Sequence, residues 1–144
     1  MNNKDIIGQI EKMQNVSIVP FFNGSNEDFF QNNVFLTTQD IACLNPSAND
    51  VLMNQVLNAN FFGNIIIDSN SNVYSRFNGN SIGKIQQGQD IVGFVEQYLQ
   101  YNDNWFLTRD KISPCSDCLF CYLCPPISNC EISFKRYNLC EYEP

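Results

Sequence analysis

The cysteines in the last third of the chain are the residues best suited to chemistry. Six of the seven cysteines lie between Cys115 and Cys140, and the spacing C-x2-C occurs three times in the run from Cys115 to Cys124. Two intervening residues complete a tight turn, which aims both flanking thiolates at one centre. Thiolates are preferred ligands of iron–sulfur clusters and of zinc. The spacing therefore predicts a metal site in this stretch.

The residues alone leave the metal and the full ligand set open. A four-iron cluster needs four thiolates, and a local loop usually supplies two or three of them, so Cys140 is a candidate remote ligand. Four thiolates in a tetrahedral arrangement also suit zinc. The run ending in Cys124-Pro125 is one residue shorter than the C-x2-C-x2-C-x3-C-P run of bacterial ferredoxins. Reduced structural thiols, or disulfides if the protein were secreted, would also account for so many cysteines.

Composition narrows the class of protein. A chain of 144 residues fits one domain with its own core. Its net charge of −7 and the absence of a basic stripe argue against nucleic-acid binding. It contains no histidine, which removes mixed cysteine–histidine zinc sites and a histidine general base. We therefore do not expect an enzyme active site in this chain alone.

The N-terminal residues and the hydropathy predict a cytoplasmic protein. Charged residues interrupt the N-terminus where a signal peptide would need an apolar run, at Lys4, Asp5, Glu11 and Lys12. No stretch approaches the roughly 20 apolar residues of a membrane span. An odd cysteine count in a reducing compartment favours metal binding over disulfides.

Short elements are predicted around the cysteine run, which makes the fold class α+β: a small β-hairpin, flanking short helices and a cysteine-rich C-terminal loop region. Apolar periodicity and turn signals define their bounds. Asp40, Asp50, Asp90 and Asp110 are interpreted as helix caps and solvated positions. Helices are predicted at 4–14, 25–33, about 38–43, 47–57, 90–101 and 104–112, and strands at 16–22, 34–36, 65–67 and 73–76.

Several other residues are assigned to packing. Cys43 is expected in the core as a small apolar residue, with a ligand or reactive thiol as the alternative. One member of each adjacent phenylalanine pair is expected to face the core, and an exposed apolar patch around 16–22 is expected to support self-association. The abundant asparagines are given little structural weight. The phenylalanine pairs are Phe21 with Phe22, Phe29 with Phe30, and Phe61 with Phe62.

Four parts of the chain together suggest a known family: the hairpin 63–74, the segment 82–85, the run Cys115-x2-Cys118-x5-Cys124-Pro and Asn138-Leu139-Cys140. In these residues the chain resembles a SPASM domain, the C-terminal cluster-binding part of many radical-SAM peptide maturases. Segments 32–41 and 123–129 are similar to the pseudo-radical-SAM maturase-like proteins of Bacteroidales. Residues 16 to 144 share the likeness.

The resemblance implies one four-iron cluster on Cys115, Cys118, Cys124 and Cys140, with Cys121 and Cys130 as alternates. A fuller SPASM domain has a cysteine just after the hairpin and another past the clustered ones. Here those regions hold Ser75-Arg76 and Ser128, so a second cluster is not expected.

The resemblance also implies partners, because the radical-SAM motif C-x3-C-x2-C is missing. We therefore expect no binding of S-adenosylmethionine, and the chain looks like the C-terminal piece of a longer maturase. Residues 1–60 would be the remnant of the barrel end with linker helices, and 61–144 the cluster domain, unless the two form one compact domain. The implied partners are a peptide substrate or a radical-SAM protein, and the implied role is peptide binding or electron relay.

Overall fold

A computed structural model describes residues 20–76, 79–86, 91–101, 104–138 and 140–141, except for the side chains of 99–101. The fold is a small α+β arrangement, as predicted, with a three-stranded antiparallel sheet in the order β1-β2-β3. The elements are α1 (Glu27–Asn33), α2 (Thr38–Ala42), α3 (Ala48–Val56), β1 (Ile66–Ile67), β2 (Asn72–Tyr74), β3 (Gly83–Lys84), α4 (Ile91–Tyr101) and α5 (Asn129–Phe134), with 3-10 turns at Asn104–Phe106, Arg109–Lys111 and Cys115–Asp117.

Capping boxes start α2 and α3, which confirms the interpretation of Asp40 and Asp50. The hydroxyls of Thr37 and Ser47 accept bonds from the backbone N–H groups of Asp40 and Asp50, each at 3.2 Å. Each carboxylate accepts the backbone N–H of its cap residue in return, at 2.8 Å for α2 and 2.9 Å for α3. Two otherwise unsatisfied donors are thus paired at each helix start.

The predicted hairpin is confirmed, and a third strand extends it. The Asp68 carboxylate accepts the backbone N–H groups of Asn70 and Asn72, at 2.8 and 2.9 Å, which shapes the turn between β1 and β2. Gly83 starts β3, where it pairs with Val73 of β2. Two residues are too short for an alternating pattern, so the sequence offers no sign of this strand.

Two aromatic clusters form the core. Phe61, Tyr98 and Trp105 make the first, and partly buried apolar side chains pack against it: Ile65, Ile82, Val95, Phe106 and Ile132. The second joins the N-terminal segment to α5: Phe22 stacks on Phe134 with ring centroids 3.8 Å apart, and Phe30 packs edge-on against both rings. The phenylalanine pairs behave as predicted: Phe30 and Phe61 are buried and Phe22 half-buried, whereas Phe21, Phe29 and Phe62 are exposed.

Several local predictions need correction. Cys43 is exposed and not in the core, because it ends α2 while Ile41 takes the inward position of that short helix. The strand expected at 34–36 reduces to a single bridge at Leu36. The helix expected at 104–112 is instead two 3-10 turns.

The N-terminal predictions are tested only at their end. Residues 20–22 form no strand, and Pro20 lacks the N–H that a strand ladder needs. The helix predicted at 4–14 and the rest of the strand predicted at 16–22 lie outside the described residues. Across the ranges that the structure describes, no helix combines the length and apolarity of a membrane span.

Candidate metal centre

One cavity collects the thiols of the cysteine run and of Cys140. All four predicted ligands and the alternate Cys121 line it, although Cys140 is remote in sequence from the other four. Apolar side chains from the N-terminal half, Leu36 and Ile41, form part of its wall. The described lining residues are Leu36, Ile41, Arg109, Cys115, Cys118, Phe120, Cys121, Cys124, Asn138 and Cys140.

Successive tight turns present the clustered thiols. The backbone N–H of Cys118 bonds to the carbonyl of Cys115 at 3.1 Å, and that of Cys121 bonds to the carbonyl of Cys118 at 3.2 Å. A third bond joins the N–H of Cys124 to the carbonyl of Phe120 at 3.0 Å. The N–H of Phe120 also donates to Sγ of Cys118 at 3.4 Å. Bonds of this kind to a ligand sulfur help set the potential of a bound cluster.

A backbone bridge brings Cys140 to the cavity. Leu36 and Cys140 form a parallel bridge, and the N–H of Glu141 donates to the carbonyl of Leu36 at 3.1 Å. Leu36 leads directly into the capping box of α2, which carries the buried Ile41. Residues from both predicted parts of the chain, 1–60 and 61–144, thus line the same cavity.

Side-chain amides fasten the cysteine loop to the segment around α3. Asn54 of α3 donates to the carbonyls of Tyr122 and Cys124, at 3.0 and 3.2 Å. The buried Asn58 donates to the carbonyls of Leu107 and Ile127, at 3.1 and 2.9 Å. The sequence does not reveal the role of these two residues, because an amide that bonds a distant backbone leaves no local pattern.

The apolar side of α3 does not make this contact. Leu52, Met53 and Val56 are exposed, and no residue of the helix is fully buried. The helix therefore meets the cysteine loop through Asn54 and not through its apolar stripe.

Arg109 joins the separate parts of the thiol site. Its guanidinium pairs with Glu131, with 2.9 Å from Nη1 to Oε1 and 3.3 Å from Nη2 to Oε2, and both side chains are almost fully buried. It also donates to the carbonyls of Pro125 and Tyr137, at 2.6 and 2.9 Å, and to Sγ of Cys115 at 3.7 Å. An arginine six residues before a cysteine run, in an acidic chain, is a signal that could have identified it.

Burial makes the thiols of Cys115 and Cys124 weaker acids than a solvent-exposed cysteine. Burial raises the pKa of Cys124 to about 11, against the lowering effect of Arg109 and with the repulsion of Cys118, Cys140 and Cys115. Burial also raises the pKa of Cys115, again opposed by Arg109. Metal ligands must be thiolates, so binding of a metal here has to release protons.

The alternate ligand Cys130 lies elsewhere. It is buried in α5, and its Sγ donates to the carbonyl of Pro20 at 3.2 Å. It lines a separate groove with Phe21, Ile65 and Arg76. The structure does not bring it to the cavity that the other five thiols share.

The donor set suits a thiolate-bound cluster in kind: several thiols, apolar walls and one buried cation beside them. Among the described residues, no group of three or more cysteine, aspartate or glutamate side chains is arranged to hold a metal ion. The thiols thus share a cavity without meeting at one point. No protein-family model, curated protein or solved structure matches this chain.

Proposed function

We propose that this chain is an iron–sulfur protein in which Cys115, Cys118, Cys124 and Cys140 hold one four-iron cluster. The observation that carries the proposal is the shared cavity, which these four thiols line although Cys140 reaches it from a different segment. A cubane cluster binds each thiolate at a different iron, so it needs ligands around a cavity and not at a single point. When bound, it supplies a one-electron redox couple.

The role proposed for this centre is auxiliary, in the maturation of a ribosomally made peptide. Resemblance of the hairpin and the cysteine spacing to SPASM domains supports this role. The chain would act through electron relay or through binding of a peptide or a radical-SAM partner. A groove lined by Phe21, Ile65, Ile66, Arg76 and Asn129 supports the binding part of the proposal, because it combines apolar walls with polar groups.

Anaerobic reconstitution tests the cluster directly. The purified chain is incubated with iron, sulfide and a thiol reductant, and iron, acid-labile sulfide and the EPR spectrum of the dithionite-reduced protein are measured. About four irons and four sulfides per chain with a reducible signal would support the proposal. A colourless protein with one zinc and no sulfide would overturn it and identify a structural four-cysteine site instead.

A further inference from the structure

Arg109 stands out among the cavity residues because it contacts every segment that presents a preferred ligand except the Cys118 turn. Pro125 directly follows Cys124, and Tyr137 lies three residues before Cys140; Arg109 donates to both carbonyls. Its Nη1 reaches Sγ of Cys115 itself. The carbonyl of Tyr137 also accepts from Sγ of Cys115 at 3.3 Å, so the three groups form a connected network.

A buried ion pair keeps the guanidinium in this place. Glu131 receives two of its N–H groups, and the same carboxylate accepts the backbone N–H of Ser128 at 2.7 Å in the capping box of α5. Glu131 is therefore fixed by the start of a helix, and Arg109 is fixed by Glu131. A planar fork of five donors suits this arrangement, and an ammonium group does not reproduce it.

We infer that Arg109 is a positioning residue of the thiol site, which fixes the ligand segments and, through its N–H bond to Cys115, favours the reduced form of a cluster held there. Reduction adds one electron, supplied by dithionite in the assay, and makes the cluster and its thiolates more negative. A nearby cation and an N–H donor stabilise the more negative state.

The charge of Glu131 does not cancel this effect at the sulfur. The N–H bond from Nη1 is directed at the sulfur, whereas the carboxylate oxygens of Glu131 face the guanidinium.

The experiment compares reduction midpoints of the reconstituted full chain, so this inference rests on the proposed function. The main variant is the double substitution Arg109→Gln with Glu131→Gln, which removes both charges together and leaves no buried ion alone. Arg76→Gln is the matched control, because Arg76 pairs with Asn129 at 3.1 Å and lines the groove instead of the thiol cavity.

At the wild-type midpoint potential, we expect the double variant to show a reduced-to-oxidised ratio about tenfold lower than the wild type. For a one-electron couple this corresponds to a midpoint potential lowered by ~59 mV. Arg109→Lys should shift the same way by less, because it keeps the charge and loses the fork. An unchanged midpoint in the double variant would overturn the inference. If the double variant does not fold, Arg109→Lys decides, and a wild-type midpoint there overturns the inference as well.

The two proposals fail in distinguishable ways. Absence of iron and sulfide from the wild type counts against the proposed function itself. A loaded wild type, a loaded Arg76→Gln control and an unshifted Arg109 variant count only against the role of Arg109.

Discussion

The amide nitrogen of Asn58 lies 2.9 Å from the carbonyl oxygen of Ile127, a hydrogen bond between residues 69 positions apart. Both residues are almost completely buried. A second bond from the same nitrogen reaches the carbonyl of Leu107, and the Asn58 oxygen accepts the N–H of Asn60 at 3.0 Å. One side chain thus ties the segment after α3 to residues on both sides of the run from Cys115 to Cys124.

Asn58→Ala should destabilise the fold strongly. The substitution removes the side-chain donor of the Leu107 carbonyl and leaves the Ile127 carbonyl only its longer bond from Asn60, at 3.2 Å. Loss of a buried hydrogen-bond partner costs about 1–3 kcal/mol. Urea unfolding of the metal-free chain should show a fall of at least that size in the free energy of unfolding. Asn64→Ala is the control, because its exposed amide makes one long bond of 3.4 Å, and we expect a change within about 0.5 kcal/mol. Equal losses of stability in the two variants would contradict the structural role of the Asn58 amide.

Gly83→Ala should also destabilise, through the sheet. A Cβ at this position would lie 2.7 Å from Cε2 and 2.9 Å from Cζ of the Phe94 ring, and Phe94 is buried. Forcing an extra methyl into such a contact costs about 1–3 kcal/mol. Phe94→Leu in the same chain should recover part of this loss, because it removes the atoms that clash. Additive effects in the double-mutant cycle would show that the two residues do not compete for this space.

Sequence patterns of a few residues correctly predict the elements whose hydrogen bonds join residues close together in the chain. The capping residues at α2 and α3, the turn around Asp68 and the periodicity of 90–101 each lie within a few residues of what they determine. The same holds for the cysteine turns, because the C-x2-C spacing by itself predicts a tight turn between neighbouring cysteines. These parts of the fold and of the site follow from short-range hydrogen bonds and side-chain period.

Contacts between distant segments leave no such signal in the sequence. The Leu36–Cys140 bridge, the Arg109–Glu131 pair and the amide bonds of Asn54 and Asn58 depend on how the elements pack. The sequence gives no reason to expect a structural role for the abundant asparagines, yet Asn54 and Asn58 attach the cysteine loop to the N-terminal half. Composition does not distinguish a buried amide from a solvated one.

Acid should weaken the start of α3. Hydrogen bonds from Ser47 hold the pKa of Asp50 below its ordinary value of 3.8 in the folded chain. The unfolded chain therefore binds this proton more readily, so the contribution of the capping box is complete above that ordinary value and is lost as pH falls through the lowered one. The urea concentration at the unfolding midpoint of the metal-free protein should therefore decrease when the pH is lowered from 6 to 3.

Asp50→Asn removes the titrating group and should reduce that fall. Asp28→Asn is the control, since it removes a carboxylate from α1, which has no capping box. If wild type, Asp50→Asn and Asp28→Asn all lose stability in parallel with acid, the capping carboxylate is not the cause.

Phe21→Ser should weaken self-association of the isolated chain. Phe21 is 57% exposed and lines the groove beside Pro20 and Ile65. Burying a phenylalanine side chain contributes about 1.5–3 kcal/mol, so its loss should lower an association constant about tenfold or more. Sedimentation velocity and binding of a hydrophobic dye provide the measurement. Leu52→Ser is matched in exposure, at 60%, and lies on α3. A monodisperse wild type without dye binding would contradict the predicted patch.

Single alanine substitutions should divide the seven cysteines into two groups. Loss of any one of Cys115, Cys118, Cys124 or Cys140 removes one of the four proposed cluster ligands, and we expect less than about half of the wild-type iron and sulfide after reconstitution. Cys43, Cys121 and Cys130 should be dispensable, with loading near the wild-type value. Iron and sulfide analysis under anaerobic conditions provides the measurement.

Cys140 and Cys130 make the sharpest comparison within that series. The bridge between Cys140 and Leu36 uses backbone groups, so Cys140→Ala keeps the bridge and removes only the thiol. Cys130→Ala removes a buried thiol that contacts Pro20 and does not line the cavity. Loss of iron from the Cys130 variant, with iron retained in the Cys140 variant, would make Cys130 a ligand in place of Cys140. Wild-type iron in Cys124→Ala, with iron lost from Cys121→Ala, would make Cys121 a ligand in place of Cys124, since both thiols line the cavity.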